Sequence, residues 1–395
     1  MGKNFKTTYV ACFLGVASQA VITCITAILF VPFMSMYGFS QWQFGVMIGV
    51  NFISQLIADV IVTKQIDKVP YRRQVISAQI IASVGLILFA LSPLLFKGES
   101  LYAGMLIATS VFAFAGGMQE AILTPVINAT EEGPAKKKAV ALLHAFYPIA
   151  QAVMVIITAL CLYFGGYESW QYAVAFWALM PLTSLIIFIK CPINQPLAPE
   201  KKERGEILKR GKGLILLLMT AIGFGGATEI IANQYISTFS TLALGIDKTI
   251  CDVFGMAMFA IMMAIGRFWF AKNAIKVNVS KVLLFTASAS VVLFLIIACA
   301  PNKWVSFVAC VLSGLSVSLL WPGTLVVAEE KFPSIAPKMF AVLAICGDLG
   351  ATIFPTAVGF VGEISLNLAF LVGAIIPLIC AIAHFSILRN KKEKI

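Results

Sequence analysis

The chain has 395 residues, of which 60% are hydrophobic and only 12% are charged. A soluble domain with so few charges would not stay dispersed in water, so the composition excludes a soluble globular protein and predicts a membrane protein. The formal net charge of +11 would suit a nucleic-acid partner, but the placement of the basic residues argues against one.

Apolar stretches follow one another along almost the whole chain, separated by short polar breaks. About twelve of them reach the ~18 residues that indicate a transmembrane helix. They cover residues 8–37, 41–63, 74–96, 101–128, 139–165, 169–190, 213–243, 249–271, 281–300, 303–328, 338–362 and 365–388. The first is too long for the core of a signal peptide and lacks a small-residue cleavage site, so we expect it to remain in the protein. The sequence therefore predicts an all-α membrane protein.

The basic residues indicate which ends of these helices face the cytoplasm. If Met1 is cytoplasmic and the spans alternate, only Lys97, Lys248 and Lys303 of the 29 Lys and Arg residues fall in outside segments. Cytoplasmic loops of membrane proteins carry such an excess of positive charge. We therefore expect a multi-pass protein of the cell membrane with both termini in the cytoplasm. Its partners would include the lipid bilayer and no nucleic acid.

A long polar interruption divides the chain near its midpoint. Residues 191–212 contain prolines followed by a run of charged residues, which indicates a cytoplasmic linker. It separates an N-terminal six-helix bundle at 1–190 from a C-terminal one at 213–388, which a tail at 389–395 follows. The halves share local features: Gly117 precedes Pro125 by eight residues, and Gly314 precedes Pro322 by the same interval. This repetition predicts two pseudo-symmetric bundles and suits alternating access.

In the first half, polar residues recur at helical intervals on the first two spans. Gln19 and Thr23 share a face of the first span, and Asn51, Gln55 and Asp59 share a face of the second. Neutral amides and hydroxyls both donate and accept hydrogen bonds, so they suit a polyol substrate; hydrogen bonding between helices is an equal alternative. Asp59 lies close to the basic end of its span, so we assign it to a cytoplasmic gate.

Glu120 is the acid that lies deepest in the first half. It precedes Glu131 by eleven residues, which places it ~16 Å from the helix end and near the middle of a ~30 Å hydrocarbon core. An ionisable group at this depth is costly unless it faces the protein interior, and no basic residue is predicted there. We therefore expect Glu120 to be the proton-coupling residue. A structural acid that only ties helices together is the alternative.

Six helices, a basic loop and six further helices resemble the plan of the major facilitator superfamily. The segment Asp67-Lys68-Val69-Pro70-Tyr71-Arg72-Arg73 is similar to the cytoplasmic signature of that superfamily. In this signature an acid followed by basic residues latches helix ends together, although here the usual glycines are replaced. The resemblance implies gate roles for Asp67, Arg72 and Arg73.

Two further segments resemble the fucose permease-like sugar:proton symporters of this superfamily. One is Gly116-Gly117-Met118-Gln119-Glu120, followed by Asn128; the other is Gly347-Asp348-Leu349-Gly350. The resemblance implies substrate contacts for Gln119 and Asn128, while Asp348 is either a site acid or a gate partner. Fucose permease has a functional acid in its first span, whereas this chain has Gln19 there. The identity of the sugar and of the ion therefore does not follow from the resemblance.

The seventh span holds the main polar group of the second half. Glu229 and Asn233 share a face, Gln234 and Tyr235 follow directly, and the glycines just before them can loosen the helix. We expect the first three to contact the substrate and the tyrosine to provide an aromatic platform; polar contacts that only join helices are the alternative. Trp321, next to a proline, is a further candidate for stacking on a sugar ring, or else a packed core aromatic.

These features predict a secondary active transporter for a small neutral polar solute, expected to be a sugar. Alternating access with proton-coupled symport is the expected mechanism, with sodium as the alternative ion and a monomer as the functional unit. A drug or metabolite exporter, and a non-transporting receptor or scaffold with a transporter fold, are the alternatives. The chain has no P-loop, nucleophile elbow or HExxH motif, so we expect no enzyme activity, no cofactor and no metal site.

Overall fold

The computed structural model describes residues 5–65, 68–130, 134–195, 212–273, 276–332 and 336–390. Within this part of the chain, twelve helical spans are long and apolar enough to cross a membrane. The bounds of their helices are Lys6–Tyr37 (span 1), Gln41–Gln65 (span 2), Tyr71–Leu95 (span 3), Ser100–Asn128 (span 4), Pro134–Gly165 (span 5), Trp170–Trp177 and Leu179–Lys190 (span 6), Lys212–Leu242 (span 7), Lys248–Ile250, Cys251–Met256 and Ala257–Asn273 (span 8), Val279–Cys299 (span 9), Lys303–Val317 and Leu320–Lys331 (span 10), Ala336–Gly362 (span 11), and Leu366–Gly373 and Ile375–Arg389 (span 12). The all-α class and the twelve spans predicted from the sequence are confirmed.

Three of the spans are interrupted just before a proline. Span 10 stops at Val317 and resumes at Leu320, and Pro322 follows. Proline has no backbone N–H, so Pro322 cannot bond to the carbonyl oxygen of Ser318 four residues earlier. Spans 6 and 12 are interrupted in the same way, three residues before a proline. Each interruption leaves a carbonyl inside the span that needs another donor.

The chain forms two compact units. Unit 1 comprises residues 1–39 and 50–198, and unit 2 comprises residues 40–49 and 199–395. Residues 40–49, which the predicted N-terminal bundle included, thus pack with unit 2, where the Thr356 hydroxyl donates a 3.1 Å hydrogen bond to the carbonyl of Gly45. Of the predicted linker at 191–212, residues 196–211 lie outside the described part of the chain.

A central helix organises each unit. In unit 1, span 1 packs against spans 4, 5 and 6, and 89% of its apolar window is buried. Its polar side chains therefore face protein rather than lipid. In unit 2, span 7 packs against spans 10, 11 and 12. The polar residues on these two helices are consequently the ones placed to form interior sites.

The repeated glycines have the same role in the two units. A side chain on Gly117 of span 4 would overlap the backbone carbonyl of Gln55 on span 2, and one on Gly314 of span 10 would overlap the carbonyl of Phe259 on span 8. Each glycine therefore allows two helices to approach closely. The local repetition seen in the sequence thus corresponds to an equivalent helix–helix contact in each unit.

Candidate functional site

In unit 1, the structure brings Gln19 and Glu120 together. The amide of Gln19 on span 1 donates a 2.9 Å hydrogen bond to Oε2 of Glu120 on span 4, and the Glu120 side chain is half-buried. Thr23, one turn further along span 1, donates its hydroxyl to the backbone carbonyl of Gln19 at 3.0 Å. The proton of that hydroxyl is therefore used within its own helix, whereas Gln19 reaches across to another span.

Asn51 of span 2 joins two helices. Its amide donates to the carbonyl of Ile22 on span 1 at 3.0 Å, while the Gln55 amide donates to Asn51 Oδ1 within span 2 at 2.6 Å. Both side chains are almost completely buried. The Asn51 bond holds span 2 against span 1, and the close approach at Gly117 brings span 4 against it. This geometry fits the helix-joining alternative for Asn51, whereas Gln55 supports Asn51 from within the same helix.

Gln119 and Glu120 are neighbours in sequence, but they bond to different partners. The Gln119 amide donates to Ser18 Oγ at 3.2 Å and to Gln79 Oε1 at 3.1 Å, in a fully buried cluster. Gln79 was not recognised from the sequence, where it and Gln74, the two amides of span 3, are five residues apart and do not share a helical face. Asn128 is exposed at the last residue of span 4, eight residues beyond Glu120. The structure therefore separates Asn128 from the interior cluster.

The predicted gate residues lie in different surroundings. Arg72, at the start of span 3, donates from Nη1 to the carbonyls of Phe188 and Ile189 at 2.6 and 2.7 Å, and from Nη2 to that of Cys191 at 2.6 Å. Its guanidinium thus caps the end of span 6, where helix carbonyls lack internal donors. Arg73 is exposed, and Asp59 is buried within span 2. Asp67 lies outside the described residues.

In unit 2, Glu229 forms an ion pair that the sequence did not suggest. Oε1 of Glu229 on span 7 lies 3.0 Å from Nη2 of Arg267 on span 8. Arg267 falls inside the predicted span 249–271, although the charge count placed it with the cytoplasmic residues, and the structure has it within span 8. Its Nε also donates to the carbonyl of Ser318 at 3.3 Å, which is the carbonyl that Pro322 cannot bond. Arg267 therefore links Glu229 to the interruption in span 10.

Trp321 lies between two glycines on neighbouring spans. A side chain on Gly226 of span 7 would come within 3.0 Å of the indole ring, and one on Gly347 of span 11 would overlap it. Gly226 precedes Glu229 by three residues, and Gly347 is adjacent to the buried Asp348. The structure thus places the predicted aromatic and both acids in the same part of unit 2.

The other candidates on span 7 are enclosed. Asn233 and Gln234 are each 1% exposed. Tyr235 is fully buried: its hydroxyl donates to the carbonyl of Pro355 at 2.9 Å, and its ring packs edge-on against Phe44. In this structure the tyrosine joins span 7 to span 11 and does not offer a free ring face.

A second ion pair, also absent from the predictions, lies at the start of span 8. Lys248 and Asp252 are one helical turn apart and almost completely buried, and the Ser237 hydroxyl of span 7 donates to the same carboxylate. Asp252 belongs to the π-helical turn Cys251–Met256. From the sequence, Lys248 was assigned to an outside segment by the alternation of the spans, and Asp252 was not considered as its partner.

Fold and sites together define a multi-pass helical membrane protein with polar clusters inside each of two units. The family model of the Major Facilitator Superfamily matches residues 11–274 and 253–395. The chain therefore belongs to the major facilitator superfamily and is a transporter of that superfamily. No curated protein sequence matches it.

Solved structures of other transporters share this fold. A D-xylose–proton symporter superposes with a TM-score of 0.82 at 11% identity, over 98% of each chain. The E. coli fucose:proton symporter gives 0.68 at 14% identity, over 98% of this chain and 99% of the symporter. A bacterial homolog of the human lysosomal transporter Spinster gives 0.79 at 12% identity, over 99% and 98%. At such low identities the similarity establishes the fold alone.

Proposed function

We propose that this protein is a secondary active transporter that moves a small hydroxylated solute of the sugar class together with protons, by alternating access. The similarity in fold to a D-xylose–proton and a fucose:proton symporter supports this proposal. The protein would work as a monomer in the cell membrane, with both termini cytoplasmic and without a cofactor.

The hydrogen bond between Gln19 and Glu120 is the observation that carries the proposal. An amide donates through its nitrogen to a carboxylate and accepts through its oxygen from a carboxylic acid. Gln19 can therefore serve Glu120 in both protonation states after a rotation of its amide group. An acid within a membrane span that has such a partner is suited to take up and release a proton during transport.

Uptake of labelled sugars into proteoliposomes, with and without an imposed proton gradient, tests the proposed function. The wild-type protein should concentrate at least one sugar only when the gradient is present. Glu120→Gln keeps the shape of the side chain but cannot ionise, so it should lose accumulation and retain exchange of internal for external substrate. Glu99→Gln, at an exposed position, is the matched control and should behave as wild type. Normal accumulation by Glu120→Gln would make Glu120 structural.

The proposed orientation is tested separately by cysteine labelling in intact cells. A cysteine introduced into the linker at 191–212 should react with a membrane-permeant reagent but not with an impermeant one. Efficient reaction with the impermeant reagent would place the linker outside and reverse the proposed topology.

A further inference from the structure

The two ion pairs of unit 2 differ in how deeply their side chains are buried. Lys248 and Asp252 are 8% and 1% exposed and belong to one helical turn, and the Asp252 carboxylate also accepts a hydrogen bond from the Ser237 hydroxyl. Glu229 and Arg267 are 11% and 14% exposed and come from two different spans. The first pair therefore has the character of a fixed structural contact. The second is partly accessible, and its partners are held by separate helices.

Protonation of Glu229 during transport would leave the charge of Arg267 unbalanced, and this favours some solutes over others. An arginine does not lose its proton in a protein, so its charge is permanent. If Glu229 took up a proton, Arg267 would lose the negative charge that now lies 3.0 Å from it. Removing one partner of a buried ion pair is strongly unfavourable. A neutral sugar would not replace the lost charge, whereas a carboxylate would.

The surroundings of the pair suit a sugar ring that carries an acid group. Arg267 is held at the interruption of span 10 by its bond to Ser318, three residues before Trp321. An indole ring offers an apolar face for the C–H groups of a sugar, and a guanidinium binds a carboxylate through paired hydrogen bonds. The other buried charged or imidazole groups among the described residues of the spans packed against span 7 are Asp348 on span 11, His384 on span 12 and the Lys248–Asp252 pair on span 8. The other described charged groups of these spans are not buried and lie near helix ends: Lys272, Lys303, Glu329, Glu330, Lys331 and Arg389.

We propose that the transported solute is a sugar acid, whose carboxylate replaces Glu229 on Arg267 while Glu229 takes up a proton. The proton comes from solution and bonds to a carboxylate oxygen of Glu229; no other bond is made or broken covalently. The pair carries no net charge before the exchange, and the set of Arg267, protonated Glu229 and bound carboxylate carries none after it. This inference rests on the proposed function and replaces the neutral solute expected from the sequence.

Matched pairs of sugars test the substrate class. Proteoliposomes with an inward proton gradient are given D-galactose or D-galacturonate, and D-glucose or D-glucuronate. We expect the initial uptake rate of at least one acid, measured well below saturation, to be about tenfold that of its neutral partner, because such a ratio of rates reports discrimination between substrates. Arg267→Lys keeps the charge but loses the forked geometry, so it should raise the half-saturating concentration of the acid.

Glu229→Gln separates the proposed exchange from a structural role of the pair. This variant resembles the protonated state, so it should bind the acid more tightly than wild type. Its binding should also change less with pH, because Glu120 is then the one proposed proton-binding acid that remains. A loss of structure would weaken binding instead. Glu329→Gln, at an exposed position near the end of span 10, is the control and should keep the wild-type pH dependence.

The remaining outcomes decide between the two proposals. If neutral sugars accumulate as well as the acids, or if binding to Glu229→Gln keeps the full pH dependence of the wild type, the sugar-acid inference is wrong and the proposed function stands. If neither member of any pair accumulates under the gradient, the proposed function fails and the inference fails with it.

Discussion

Gln19 on span 1 donates a 2.9 Å hydrogen bond to Glu120 on span 4, so these two residues form a polar contact between helices inside unit 1. The Thr23 hydroxyl, one turn away, donates to the backbone carbonyl of Gln19 within span 1. The two residues share a helical face in the sequence, but the Gln19 amide donates to the proposed coupling acid, whereas the Thr23 hydroxyl donates its proton within its own helix. Their substitutions should therefore have unequal effects.

Gln19→Leu should reduce proton-driven uptake by about tenfold or more, because hydrogen bonds to charged groups contribute about 1.5–3 kcal/mol. The measurement is the initial uptake rate in proteoliposomes under a fixed proton gradient. Thr23→Val removes a hydroxyl that donates its proton within its own helix, so its rate should stay within about threefold of wild type. Equal rates for Gln19→Leu and the wild type would show that Gln19 has no part in coupling.

Alanine at either repeated glycine should destabilise its unit. A methyl group on Gly117 or Gly314 would overlap a backbone carbonyl of the facing span, and overpacking of this kind costs about 1–3 kcal/mol. Thermal unfolding of the purified protein in detergent should show a lower Tm for both variants. Gly213→Ala is the matched control, because open space surrounds that helical position. A Tm for Gly117→Ala as high as that of the control would mean that spans 2 and 4 can separate at little cost.

Arg72→Ala should lower the Tm, since it removes three hydrogen bonds to carbonyls at the end of span 6. A charged donor to such groups contributes about 1.5–3 kcal/mol. The neighbouring Arg73 is exposed, so Arg73→Ala should leave the Tm nearly unchanged. Similar effects of the two substitutions would indicate a general charge effect and not a cap on span 6.

His384→Leu should leave the Tm unchanged or raise it. The side chain is fully buried on span 12, and neither ring nitrogen has a hydrogen-bond partner in the described part of the chain. Burying an unsatisfied polar group is unfavourable, and leucine removes that group while it keeps most of the volume.

Ser184→Ala provides the contrast for His384. The buried Ser184 hydroxyl donates to the carbonyl of Ala11 at 2.9 Å, so its loss should cost about 1 kcal/mol. A marked loss of stability in His384→Leu, measured beside Ser184→Ala in the same unfolding assay, would mean that the imidazole takes part in an interaction the described residues do not contain.

The sequence by itself determined the class and the number of spans. Whether a stretch crosses a bilayer depends on the composition of about twenty consecutive residues, which is a local property. The repeated glycine–proline interval was likewise visible, and in each unit the glycine makes the same close contact. The acids Glu120 and Glu229 could be selected as candidates because a charge in such a stretch is costly wherever its partner lies.

Only the tertiary structure decided which side chains meet. Glu229 pairs with Arg267, 38 positions later in the chain, while the adjacent Gln119 and Glu120 bond to different partners. The interruption of span 10 matters because Arg267 supplies the donor that Pro322 cannot. Hydropathy and spacing describe one helix at a time. The partners of a polar residue depend on which helices pack against it and at what height, and these are set by contacts between segments far apart in sequence.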